Sequence, residues 1–207
     1  MEKPPEEGEI WEWRAFGEIS RRVSSTVTAH PIRFGLLCHR DEDIYLISPR
    51  SSQNVKIRKS GNAWLLKFKL LVTTVPRRIE LYRESASLMY RFPINQENLH
   101  ETGKLLLTEL PASAASRESF DRETFMEVLG ASSPPICRVN VPKTRSQYLV
   151  EDGWIELADV YFARGRVQSL SIHSHSLEVV QRTLGELEPD SGLEAMNYVE
   201  ACRRWGG

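Results

Sequence analysis

Apolar and polar positions alternate with a period of two along much of the chain, the spacing expected of strands whose successive side chains point to opposite faces. Near the N-terminus, Trp11, Trp13 and Ala15 share one face and Ile10, Glu12 and Arg14 the other. Between Asn54 and Leu70 the pattern predicts a hairpin turning at Ser60-Gly61-Asn62, with Lys56 and Arg58 opposite Val55 and Ile57. On its return strand, Lys67 and Lys69 lie with Leu65, opposite Trp64, Leu66, Phe68 and Leu70. A further strand is predicted over Arg78 to Tyr82, with Glu80 between Ile79 and Leu81. An antiparallel meander is predicted over Ile136 to Tyr148, Trp154 to Phe162 and Val167 to His173, with turns at Glu151-Asp152-Gly153 and Arg164-Gly165. The segments Ile32 to Cys38 and Asp43 to Ser48 read as another hairpin, turning at Arg40-Asp41-Glu42.

Helical spacing replaces this alternation from about Asn95 to Leu107, Phe120 to Leu129 and Leu177 to Leu187. A short helix is expected between Phe16 and Ser25, and a last one beginning at Ser191-Gly192-Leu193-Glu194, which has capping-box spacing. About eight strands, with helices in the connections and at the C-terminus, predict an α+β protein: an antiparallel eight-stranded β-barrel with helices packed on its outside. The tryptophan- and leucine-bearing faces would meet the helices, and the charged faces would line a wet tunnel. Residues 1–8, with their prolines and glutamates, read as a disordered acidic tail, and residues 9–207 as a single domain.

Composition adds little to that picture. The 207 residues are 41% hydrophobic and 27% charged, and 27 basic against 28 acidic residues leave a formal charge of −1. Such a balance argues against a nucleic-acid partner, while still permitting a local basic groove. The three cysteines, Cys38, Cys137 and Cys202, form no Cys-x-x-Cys pair and fit a reducing compartment. No apolar run reaches the roughly 20 residues that span a bilayer, so no membrane partner and a cytoplasmic location are expected.

The candidate chemistry lies in the cationic strand faces. Lys56 with Arg58, Lys67 with Lys69, and Lys143 with Arg145 are pairs two residues apart, and Arg14 occupies the charged face of the first strand. One such face is most simply a solvated one. Recurrence in distant parts of the sequence argues instead for convergence around an anion, with arginines clamping phosphate oxygens and lysines acting as point charges. His173-x-His175 reads as an exposed pair, Ser169 and Ser171 have no sequence pattern of a nucleophile, and Trp154 and Trp205 read as packing residues.

Taken in order, these residues resemble those of the CYTH, or triphosphate tunnel metalloenzyme, superfamily. Ile10-Trp11-Glu12-Trp13-Arg14 is similar to that family's opening Glu-x-Glu-x-Lys strand, with Ile10 in place of the first acid. Lys56 and Arg58, Lys67, Lys143 and Arg145 ahead of Tyr148, and Asn197-Tyr198-Val199-Glu200 are similar to its later motifs. The resemblance implies binding of a triphosphate or polyphosphate by Arg14, Lys56, Arg58, Lys67, Lys69, Lys143 and Arg145. It also implies hydrolysis assisted by Mg²⁺ or Mn²⁺, with Glu12 and Glu80 as catalytic acids and Glu12, Glu80 and Asp159 as metal ligands. The family's late Glu-x-Glu is absent; Gln168-Ser169-Leu170-Ser171-Ile172-His173 stands there. Glu156 and Asp159 fall on opposite faces of one strand, so at most one of them points inward. Loss of those acids makes a non-catalytic polyanion-binding or interaction module the alternative.

Overall fold

A computed structural model describes residues 8–33, 37–84, 86–189 and 191–207. Eight strands carry the fold: β1 (Glu9–Gly17), β2 (His39–Ile47), β3 (Asn54–Ser60), β4 (Ala63–Val75), β5 (Ile79–Arg83), and, after three short strands and two helices, β9 (Cys137–Val150), β10 (Gly153–Phe162) and β11 (Gly165–Ser174). All neighbours are antiparallel, in the order β11-β10-β9-β2-β3-β4-β5-β1, and β1 pairs again with β11 to close the barrel. Closure satisfies the edge hydrogen bonds that an open sheet would leave unpaired. Short strands fill the remainder: β6 (Met89–Arg91) on β4, β7 (Ile94–Asn95) with β8 (Ser119–Phe120), and β12 (Leu193–Ala195) on β1. The helices are α1 (Arg21–Thr28), α2 (Gln96–Leu106), α3 (Arg122–Gly130), α4 (Leu177–Leu187) and α5 (Tyr198–Trp205).

The two faces of each strand take the roles that their alternation predicts. Trp11, Trp13, Leu81, Leu170 and Ile172 point outward and pack with Val23 and Val27 of α1 and Val180, Leu184 and Leu187 of α4. Val55, Ile57, Leu66 and Phe68 point outward on the opposite wall, under Leu99 and Leu106 of α2 and Phe125 and Leu129 of α3. The helices therefore cover two apolar walls and leave the inward faces free to be polar.

One end of the barrel is filled by apolar groups. Phe16, Tyr45, Val141, Ala158 and Val160 share inward parity with the charged residues and pack on Tyr198, Val199, Ala201 and Cys202 of α5. The helix begins at Asn197, whose side chain accepts from the Glu200 amide while Glu200 returns the bond. The expected start at Ser191-Gly192-Leu193-Glu194 is thus corrected: Leu193–Ala195 pairs with β1, and the capping box lies further along, where it delivers the apolar side of α5 to the barrel end.

The hairpin expected around Arg40-Asp41-Glu42 is also corrected. His39–Ile47 is one uninterrupted strand, and alternation continues through Asp41, Asp43 and Tyr45 because these side chains have partners inside the barrel. Of its other arm, Ile32 makes a single bridge to Tyr148, and residues 34–36 lie outside the described residues. Apart from Gly8, the acidic tail also lies outside them. Among the described residues no helix is long and apolar enough to cross a membrane.

Candidate anion-binding site

Inward parity on seven strands gathers the charged side chains around a cavity of about 360 Å³, near the lower end of the range of small-molecule pockets. Eight cations line it: Arg14 from β1, Lys56 and Arg58 from β3, Lys67 and Lys69 from β4, Lys143 and Arg145 from β9, and Arg33 from the segment after α1. All seven cations expected from the sequence meet here, although they are up to 131 positions apart (145 − 14). The cavity floor is Tyr198, with the Arg14 guanidinium and the Lys143 ammonium each 4.6 Å from its ring centre. Tyr45 stacks behind it at 5.1 Å.

The cations do not face one another bare. Asp43 receives Lys56 at 3.3 Å, Lys143 at 3.0 Å and a two-pronged contact from Arg58 at 2.6 and 2.7 Å. Asp41 receives Arg145 and, at 3.8 Å, Arg58. Glu12 is held by Arg14 at 2.7 Å and by Lys69, which also reaches Glu84 at 2.5 Å. Glu156 receives Arg145 at 2.8 Å, the Gln147 amide at 2.8 Å and Arg14 at 3.4 Å. Burial alone would favour neutral carboxyls, yet Lys69 and Arg14 hold Glu12, and Arg14 and Arg145 hold Glu156, well below the ordinary carboxylate range. Lys143, Lys56 and Arg58 do the same to Asp43.

Five carboxylates thus answer eight cations, and the excess is localised. Among the described residues, Lys67 and Arg33 have no carboxylate within ion-pair distance; Arg33 lies 4.2 Å over the Trp154 ring and donates to Gln147 Oε1 at 3.0 Å. Burial and the nearby Arg58 push the Lys67 ammonium below its usual value. Lys56 is lowered too, because burial and its cationic neighbours outweigh its share of an Asp43 carboxylate divided among three partners.

Trp154 stacks on His173 at 4.7 Å and 10°, and the His173 ring contacts Arg14 at 3.4 Å. With Arg14 over Tyr198, one wall of the cavity is a continuous stack from Arg33 to the floor. His173 is buried rather than exposed as expected, because it shares inward parity with Ser169 and Ser171. Burial drives its pKa down to about 4, so the ring is neutral near pH 7. His173 Nε2 lies 2.9 Å from Ser171 Oγ and Nδ1 3.5 Å from Glu12, but Ser171 is fully buried and absent from the cavity lining, so a substrate does not reach its oxygen.

The expected metal ligands do not assemble. Asp159 lies on the outer face, bonded to Arg166 at 2.6 and 3.0 Å, while Glu156 is the inward acid of that strand. Glu80 is buried but spent on Tyr82 at 2.5 Å and on the Asn197 amide at 3.0 Å; burial raises its pKa. It positions α5 instead of facing the cavity. Glu12 is occupied by two cations, and among the described residues no three His, Cys, Asp or Glu side chains group to hold a metal ion. This donor set does not fit Mg²⁺ or Mn²⁺, which want oxygen ligands converging in near-octahedral geometry.

Three cavity-lining side chains carry a buried polar atom without a partner among the described residues: Trp154 Nε1, Tyr198 Oη and Asn54 Oδ1. Sequence reasoning missed Asp41, whose triplet Arg40-Asp41-Glu42 has turn composition, Asp43, which begins the strand expected after it, and Trp154 and Tyr198, whose aromatic character reads as core. Inward strand parity was the available signal for Asp41, Asp43 and Trp154, whereas Tyr198 stands on helix α5, where strand parity does not apply.

A closed eight-stranded antiparallel barrel with a cation-lined interior defines the structural class. Solved structures share the fold: a putative adenylyl cyclase from Hippeastrum, described as having a dominant triphosphatase activity, superposes with a TM-score of 0.52 at 13% identity, covering 94% of this chain and 95% of that one. A putative adenylate cyclase from Bacillus halodurans gives 0.51 at 13% identity, covering 94% and 98%. No protein-family model and no curated protein matches the sequence. The shared property is the fold.

Proposed function

We propose that this chain is a divergent CYTH-like barrel that binds a linear triphosphate or polyphosphate-type anion without metal-assisted cleavage. The observation that carries this reading is the convergence of eight cations on one cavity with five carboxylates paired to them among the described residues. A protein of formal charge −1 thereby concentrates positive charge where an elongated anion fits. The triphosphatase activity ascribed to the Hippeastrum protein supports the ligand class. The donor geometry argues against carrying over the metal chemistry, because Glu12, Glu80 and Glu156 are each committed to protein partners and Asp159 lies outside.

Calorimetric titration of tripolyphosphate in EDTA, followed by ³¹P spectroscopy of the mixture, tests this reading. Binding with the phosphate chain intact is the expected result. Absence of affinity for tripolyphosphate would overturn it, and so would phosphate release on adding Mg²⁺ or Mn²⁺ that a Glu12→Gln variant lacks, since that result restores the hydrolase reading.

A further inference from the structure

The five carboxylates paired with the cavity cations are not alike. The side chains of Glu12, Asp41, Asp43 and Glu156 are at most 5% exposed, whereas that of Glu84 is 42% exposed while lining the same cavity. The first four belong to the interior; Glu84 stands where the cavity meets water. It follows the last residue of β5 with the inward parity of Tyr82, and the Leu70–Arg83 pairing of β4 with β5 sets it beside Lys69. Its amide donates to the Gly8 carbonyl at 2.7 Å, so the backbone is tied down just before β1 and any change of position falls to the side chain.

Lys69 does not depend on Glu84 for a counter-ion. Glu12 pairs with it from the interior, and the Tyr82 ring lies 4.5 Å from its ammonium. The Glu84 carboxylate, 2.5 Å away, is a second acceptor and the one open to water. Its charge reaches further. Burial and Arg58 lower the Lys67 ammonium, and Glu84 opposes them. Partial burial favours a neutral Glu84, yet Lys69 and then Lys56 hold its carboxyl down to about 2, so it is charged near pH 7. An anion drawn to Lys56, Lys67 and Lys69 therefore meets a like charge already in place, which repels it. Exposed ion pairs are weak, so this contact gives way to an anion of several charges, while the buried pairs of Asp43 and Glu156 stay.

We propose that Glu84 is a built-in competitor: its carboxylate holds the anion position at Lys69 in the empty barrel, and the entering ligand displaces it. This rests on the anion-binding reading above and adds to it a residue that sets how tightly the ligand is held. A competitor tethered to the site acts at a high effective concentration, so the wild-type barrel binds more weakly than its cations alone would allow.

Glu84→Gln tests this, because it keeps the length of the side chain and removes only the charge. Titration with tripolyphosphate in EDTA is read beside the melting temperature of the ligand-free protein. Affinity is expected to rise about three- to fivefold, the upper range for an exposed ion pair, with ligand-free melting unchanged or slightly lowered. Glu42→Gln is the control: it removes the same charge from an exposed carboxylate that pairs with Lys59 and does not line the cavity, so affinity is expected to stay at the wild-type value. Wild-type binding that Glu84→Gln leaves unchanged or weakens would overturn the proposal and keep the anion-binding reading. An equal rise in Glu42→Gln would also overturn it, since net charge would then account for the gain. No binding by either the wild type or Glu84→Gln would remove both.

Discussion

Asp43 shows how the cavity stays folded with so many cations inside it. One carboxylate, fully buried, is shared by Lys56, Arg58 and Lys143. Removing one member of a buried ion cluster leaves uncompensated charge and typically costs about 3–5 kcal/mol. Asp43→Asn is therefore expected to lower ligand-free stability by that order while raising tripolyphosphate affinity, because three cations lose their internal counter-ion. Denaturant melts with and without tripolyphosphate check this; a variant that loses stability and gains no response to the anion would contradict it. His173 makes a prediction about pH. It meets Glu12, Arg14 and Trp154, with Lys69 and Glu156 nearby, and its folded pKa of about 4 lies below the ordinary value of about 6.5. Between those values the unfolded chain binds the proton and the folded one does not, so stability is fully present above about pH 6.5 and falls as pH drops toward 4. The loss expected is about 3 kcal/mol, and His173→Gln should flatten the stability profile in that window. Below it, protonation of Glu12, Glu156 and Asp43 removes further stability, since their folded pKa values are depressed.

At the level of elements, what was legible follows from parity. Each strand that carries a cation also carries an outward apolar row, and period two places both without further information: Lys56 and Arg58 against Val55 and Ile57, Lys67 and Lys69 against Leu66 and Phe68. The β3–β4 turn was legible for a local reason, Gly61 sitting at φ +57°, where a side chain is strained. Element ends were harder, because composition and tertiary contact disagree there. The triplet Arg40-Asp41-Glu42 has turn composition but lies mid-strand, held by Arg145 and by the β2–β9 pairing. Likewise, Ser191-Gly192-Leu193-Glu194 has capping-box spacing but pairs with β1 as a strand, and the helix begins at Asn197, where packing at the barrel end places it. That residue caps α5 and donates to Glu80 at 3.0 Å, so Asn197→Ala is expected to cost about 2 kcal/mol. Urea denaturation measures it, and a loss below a few tenths of a kcal/mol would show that α5 is anchored by its apolar face alone.

For the whole molecule, closure of the barrel turns scattered two-residue motifs into one site, and it does so with internal counter-ions that the strand patterns alone did not assign. The carboxylates Asp41, Asp43 and Glu156 make the empty barrel tolerable; Lys67 and Arg33, without carboxylate partners among the described residues, keep it attractive to an anion. The most direct test is a melting series in EDTA with increasing tripolyphosphate, on wild type and on Lys67→Met. An anion that binds only the folded barrel stabilises it by about 2.7 kcal/mol at a hundredfold excess over the dissociation constant, so the wild-type transition should rise steadily with ligand. Lys67→Met should melt no lower without ligand, having no ion pair to lose among the described residues, and should need several-fold more tripolyphosphate for the same rise. A wild-type transition that does not move with tripolyphosphate would contradict the account.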